Sequence, residues 1–148
     1  MDEVIAKFKT PESCEQFALN VEATQPERAL EARRRAVELR AEQHGATTVA
    51  EKESLEAIYA YERTLFKKHG RNVKASYTWR KVNKDGVLAA VQDIVLKDAE
   101  TSGFRALADE GMLDKSFEEV VLRHPKAFAP EAVRKSSARL RAWRKGHE

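Results

Sequence analysis

Only one cysteine, Cys14, occurs in the 148 residues, so neither an internal disulfide nor a cysteine-based zinc cluster can form within the chain. It reads as a small core residue of a protein from a reducing compartment. Four prolines and six glycines are few, which disfavours a turn-rich all-β fold. No window reaches the ~18 apolar residues that a membrane span needs. Met1-Asp2-Glu3 leads into no apolar run, so no secretory signal is expected. The expected location is cytoplasmic, away from any membrane. The phosphate-cradling and nucleophile signatures Gly-x-Gly-x-x-Gly, P-loop and Gly-x-Ser-x-Gly are missing. His44, His69, His124 and His147 are scattered with no i, i+4 pair, so no metal site and no cofactor is expected. Glu118-Glu119 reads as a solvent-facing pair rather than a catalytic dyad.

Acid is the scarcity that matters most. Between Arg63 and Lys84 no Asp or Glu occurs, while Arg63, Lys67, Lys68, Arg71, Lys74, Arg80, Lys81 and Lys84 do, with Phe66, Tyr77 and Trp79 among them. Elsewhere the two signs mix. The formal net charge of +3 with a pI of about 9.0 says little about partners by itself. A local field of one sign with flat side chains inside it suits a polyanion.

Hydrophobic content of 42% and charged content of 34% fit a folded protein with a highly charged surface. A chain of this length buries roughly 68–70% of its unfolded surface as one domain. Helix start and stop signals recur along it. Thr10-Pro11-Glu12 opens a helix that buries Cys14, Phe17, Ala18 and Val21. Val4, Ile5 and Phe8 before it fit either a helical turn or a short strand. Thr24-Gln25-Pro26-Glu27 reads as a capping box for a helix to about His44, stopped at Gly45. Thr48-Val49-Ala50-Glu51 is another, for a helix to about His69, stopped at Gly70. The short loop between these two long helices predicts an antiparallel αα-hairpin. Further helices are predicted over 77–83 with Ser76 as cap, from Val87, from Thr101-Ser102-Gly103 to Gly111, around Phe117 to Val121, and from Pro130. The expectation is all-α, with six to eight helices in a single domain over 1–148 and an N-terminal αα-hairpin. A looser boundary is expected near 97–101.

The basic stretch supports a specific surface. Lys67, Lys68 and His69 end a helix, where the dipole favours cations. Arg71 and Lys74 follow in a loop. The free N–H groups of a helix opening at Ser76 can hold a phosphate, Arg80, Lys81 and Lys84 extend the surface, and Tyr77 or Trp79 can stack on a base. Eight phosphate contacts would give a log–log salt slope of about −7 on duplex DNA. The alternative is that Tyr77 and Trp79 are core and the lysines a solvated rim. The C-terminal cations Arg134, Lys135, Arg139, Arg141, Arg144 and Lys145 add to the surface if their helix folds beside it. The helices around Lys84-Asp85-Gly86 match a DNA-binding helix-turn-helix poorly, since the basic helix comes first and the second is mostly apolar.

Glu62 falls within the apolar stripe Leu55, Ile58, Tyr59, Leu65 and Phe66. A carboxylate there must pair or take up a proton. Arg33 and Arg40 on the preceding helix are its expected partners, and a small enzyme centred on Glu62 with Tyr61 and His69 is the sharper alternative.

Tyr59-Ala60-Tyr61-Glu62, Gly70-Arg71, Ala75-Ser76-Tyr77-Thr78-Trp79 and Val120-Val121-Leu122-Arg123-His124-Pro125 together resemble a pattern in a family of small uncharacterised bacterial α-helical proteins. The resemblance spans most of the chain. It implies a bacterial cytoplasmic origin and assigns no functional residue.

The reading that follows from the residues is a helical nucleic-acid-binding module. Arg63, Lys67, Lys68, Arg71, Lys74, Arg80, Lys81 and Lys84 would contact phosphates and Tyr77 or Trp79 would stack. The competing readings are a regulatory subunit that docks an acidic protein, and the Glu62 enzyme. An exposed Trp79 favours stacking, and a buried one favours protein docking. Self-association stays open.

Overall fold

The computed structural model describes residues 2–71, 74–97 and 102–146. Among them it is all-α, with nine α-helices, two single-turn 3₁₀ helices and no strand. The chain divides into two compact units, Met1–Ala46 and Thr47–Glu148. The looser boundary expected near 97–101 lies, from 98 on, outside the described residues.

The first unit holds α1 (Glu3–Ala6), α2 (Pro11–Val21) and α3 (Pro26–His44). Val4 and Ile5 take the helical alternative because Asp2 caps the turn, its carboxylate accepting from the N–H groups of Val4 and Ile5 at 2.8 and 3.3 Å. Thr10 caps α2 by accepting from Ser13 N–H at 3.2 Å, with Pro11 in the first turn. Thr24 does not cap α3. The N–H groups of Thr24 and Gln25 both turn back to the Val21 carbonyl, at 3.1 and 2.6 Å, which leaves Gln25 at the cap position, its side chain accepting from Arg28 rather than capping the helix.

Helix α3 carries Ala29, Ala32 and Ala36 on one face, all buried, and these small side chains admit α2 closely. The N-terminal αα-hairpin is therefore α2 with α3. The pairing expected of 26–44 with 49–69 falls across the division between the units, and α3 takes its hairpin partner from the other side in sequence. Two ion pairs mark the antiparallel register: Glu22 with Arg33 at 3.1 Å and Glu15 with Arg40 at 3.4 Å. Cys14 is fully buried beside Ala36 and Leu39. Burial pushes its thiol above the ordinary range, so it behaves as a small hydrophobe.

The second unit begins with α4 (Val49–His69), followed by α5 (Ser76–Asp85), α6 (Val87–Leu96), α7 (Ser102–Asp109), α8 (Phe117–Arg123) and α9 (Pro130–Lys145). Thr48 accepts from Glu51 N–H at 3.1 Å at the start of α4. Gly70, at φ 68°, takes the left-handed stop at its end. Ala57 of α4, Val91 and Val95 of α6, Val120 and Val121 of α8 and Ala132 of α9 meet in one apolar cluster closed by Phe128. Helix α6 supplies Val87, Ala90, Val91 and Val95 as buried residues. It therefore lies in the core and cannot serve as a reading helix in a DNA groove. Within this interior sits an ion pair between Lys115 and Glu56, 2.9 Å apart, with side chains only 6% and 11% exposed. No helix of the described residues is long and apolar enough to cross a membrane.

Candidate nucleic-acid interface

Helix α5 positions the core of the site. Its period places Thr78 and Val82 inward, and leaves Tyr77, Arg80, Lys81 and Lys84 along the outer face at i, i+3, i+4 and i+7. These four residues and Asp85 line one shallow depression. Helix α5 begins at Ser76 and runs to Asp85, longer than the expected 77–83, and Ser76 is the first helical residue. The cap position belongs to Ala75, which has no capping side chain.

Glu62 explains how that helix is held. Its Oε2 accepts from Ala75 N–H at 2.8 Å and from the Trp79 indole N–H at 2.9 Å. Trp79 is half-buried, and its ring lies 5.1 Å from that of Tyr59 at 49°. The carboxylate thus fastens the start of α5 to α4. Arg33 and Arg40, expected as its partners, bind Glu22 and Glu15 within the first unit. The reason is local: Glu62 faces the incoming α5, whose backbone and indole donors need an acceptor. An internal anion also stands at the start of α5, where a phosphate was expected. Trp79 is tethered at nitrogen and packed on one face, whereas Tyr77 is 56% exposed. The Lys97 ammonium lies 4.2 Å from its ring centroid. Hydrogen bonding to Tyr77, then to Asp93, pushes the Lys97 pKa up.

The eight cations divide into two groups. Arg63 and Lys67 converge on Glu110, at 3.5 and 3.1 Å. Glu110 is 4% exposed, so the two cations neutralise an interior carboxylate brought in at the end of α7. Lys81 pairs with Asp85 at 2.8 Å; the hydrogen bond to that carboxylate raises its pKa and lowers that of Asp85. Lys68, Arg71, Lys74, Arg80 and Lys84 are exposed and form no ion pair among the described residues, although the charge of Lys84 helps to lower the pKa of Asp85. The loop residues 72 and 73 between them lie outside the described set.

Helix α9 adds less than its composition promises. Arg134 pairs with Glu131, Arg139 with Glu118 and Arg144 with Glu119. Lys135 donates to the Leu96 carbonyl at 2.8 Å, and Arg139 to that of Lys97. These two cations cover the C-terminal end of α6, where the helix dipole favours them. Lys97 was not singled out from the sequence. It follows the last turn of an apolar helix, and no local pattern signals its reach to Tyr77.

Tyr61 lines a cavity whose walls include neither Glu62 nor His69. His124 donates to Glu53 at 2.9 Å beside Arg123, and His147 lies outside the described residues. Among the described residues no group of three or more His, Cys, Asp and Glu side chains could hold a metal ion. Comparison with protein families, with curated protein sequences and with solved structures returns no match to this chain.

Proposed function

We propose that the chain binds the phosphate backbone of nucleic acid through α5 and the end of α4. The supporting observation is the outer face of α5: Tyr77, Arg80 and Lys84 lie in one exposed row, and Asp85 is the only carboxylate in the depression they line. Lys74 precedes the row, and Lys68 and Arg71 supply charge from the end of α4. Arg63 and Lys67 serve Glu110, Lys81 is shared with Asp85, and Trp79 is held by Glu62. The contact set is therefore the five unpaired cations with Tyr77 as the stacking ring. With five contacts the log–log salt slope is about −4.5 on duplex DNA, against about −7 for eight.

The test is fluorescence anisotropy with labelled duplex and single-stranded oligonucleotides between about 50 and 200 mM salt. Lys74→Glu with Arg80→Glu is expected to weaken binding at least about 100-fold, since it both removes and reverses charge, while the helical circular dichroism stays unchanged. Tight binding by that double variant sinks the proposal. The half-burial of Trp79 favours a second reading, in which the same face docks an acidic protein. Polyglutamate competing as well as oligonucleotide at equal charge, with no contribution from Tyr77, selects that reading.

A further inference from the structure

The second unit contains a cavity of about 510 Å³ between α4, α7 and the start of α8. That volume lies within the range of small-molecule sites. Its walls are mostly apolar: Ala57 and Leu65 of α4, Ile94 of α6, Phe104 and Leu107 of α7, and Phe117 of α8. The rings of Tyr61 and Phe117, 6.0 Å apart, stand together in the lining. Of the polar groups, Thr64, Ser116 and Glu118 are engaged, and the Tyr61 and Thr78 hydroxyls complete the polar lining. Thr64 donates to the Tyr61 carbonyl at 2.6 Å, and Ser116 accepts from Glu119 N–H at 3.1 Å. Glu118, the only carboxylate in the lining, is bound by Arg139 at 3.2 Å with both side chains largely buried. Lys68 is the remaining charge. It is exposed, so it sits at the mouth, and it has no carboxylate partner among the described residues.

We propose that this cavity binds a small amphipathic carboxylate, its apolar body against Leu65, Phe104, Leu107 and Phe117 and its head paired with the Lys68 ammonium. The assignment follows from charge. An apolar chamber with one uncompensated cation at its opening favours an apolar molecule with one negative end. A zwitterion or a cation would meet no free carboxylate in the lining, and a polyol would leave most of its hydroxyls unsatisfied against the aromatic wall. The site is separate from the outer face of α5 and does not depend on nucleic-acid binding. Lys68 alone belongs to both.

Isothermal titration calorimetry of the full chain with decanoate, below its micellar range and without nucleic acid, tests this. Saturable one-to-one binding is expected, with octanoate weaker by about tenfold for its two missing methylenes. Decanol and decyltrimethylammonium should bind about threefold to fivefold more weakly than decanoate, the scale of an exposed ion pair. Lys68→Gln should remove that preference for the acid and leave decanol binding unchanged. Ala106→Phe, which places a ring in the cavity, should abolish binding of every ligand while the circular dichroism persists. The proposal is overturned by an absence of saturable binding, by decanol matching decanoate, by a charge preference that survives Lys68→Gln, or by decanoate binding that survives Ala106→Phe.

Discussion

Helix α5 carries Arg80, Lys81 and Lys84, and helix α9 carries Arg134, Lys135, Arg139, Arg141, Arg144 and Lys145. As sequence, α9 is the more basic. As surface, the difference closes: among the described residues each helix leaves two exposed cations outside any ion pair, Arg80 and Lys84 on α5 and Arg141 and Lys145 on α9. Helix α9 packs on α8, which presents Glu118 and Glu119 to it, and its flank meets the open carbonyls at the end of α6. Helix α5 packs its inner face on α4 and α6 through Thr78, Trp79 and Val82, and among the described residues the acids beside its outer row are its own Asp85, paired with Lys81, and Asp93, paired with Lys97. A local excess of Lys and Arg therefore gives the sign of a segment but not of the surface it forms. Which carboxylates fold against it decides that.

This contrast separates cations that hold the fold together from cations that remain available, and it can be broken by substitution. Lys115 lies at the engaged extreme. Lys115→Met strands the Glu56 carboxylate in the interior and should cost about 3–5 kcal/mol in urea unfolding. Glu56→Leu added to it should restore stability to within about 1 kcal/mol of the parent, and failure to do so would mean that the pair is not the cause. Arg139→Ala comes next. It leaves Glu118 and the Lys97 carbonyl without their donor and should cost about 1–3 kcal/mol, with oligonucleotide affinity nearly unchanged.

A smaller loss should appear in acid. Burial tends to raise the pKa of Glu53, but hydrogen bonds from Arg123 and His124 outweigh it and hold the group below its ordinary value. A carboxylate depressed in the folded state stabilises the protein above its unfolded pKa, and that stability is lost as pH falls through the folded value. Thermal unfolding of Glu53→Gln should therefore be less sensitive to pH than the parent on the acid side, and identical curves would remove Glu53 from the account. Arg144→Ala, at a side chain 60% exposed, should cost no more than about 1 kcal/mol. Lys84→Ala should change stability by less than about 0.5 kcal/mol. It should nevertheless reduce the duplex salt slope by about 0.9. A stability loss at Lys84 comparable to that at Arg139 would erase the distinction between the two helices.

Much of the local structure was legible because its causes lie within a few residues. Gly45 and Gly70 stop their helices with positive φ, and Thr10 and Thr48 cap theirs through the third residue onward. Thr24 misled because an otherwise sound capping pattern is overridden when the preceding turn captures its backbone N–H. Glu62 was legible as an anomaly: a carboxylate on an apolar stripe needs partners. Their identity was not, since Ala75 and Trp79 reach it only after the chain has turned at Gly70. Lys97 over Tyr77 and the ion pair of Lys115 with Glu56 left no trace in any window, their members being drawn together from well-separated segments.

From the order of residues alone came the helical character, the places where most helices begin and end, and a stretch free of acid. Pattern, propensity and capping act over one or two turns, so they are written locally. Folding settled which helix each surface meets, and with it which charges are cancelled, which ring stays outside and where an apolar chamber opens. Those outcomes depend on groups far apart in the chain coming within a few ångströms, a condition that only packing imposes.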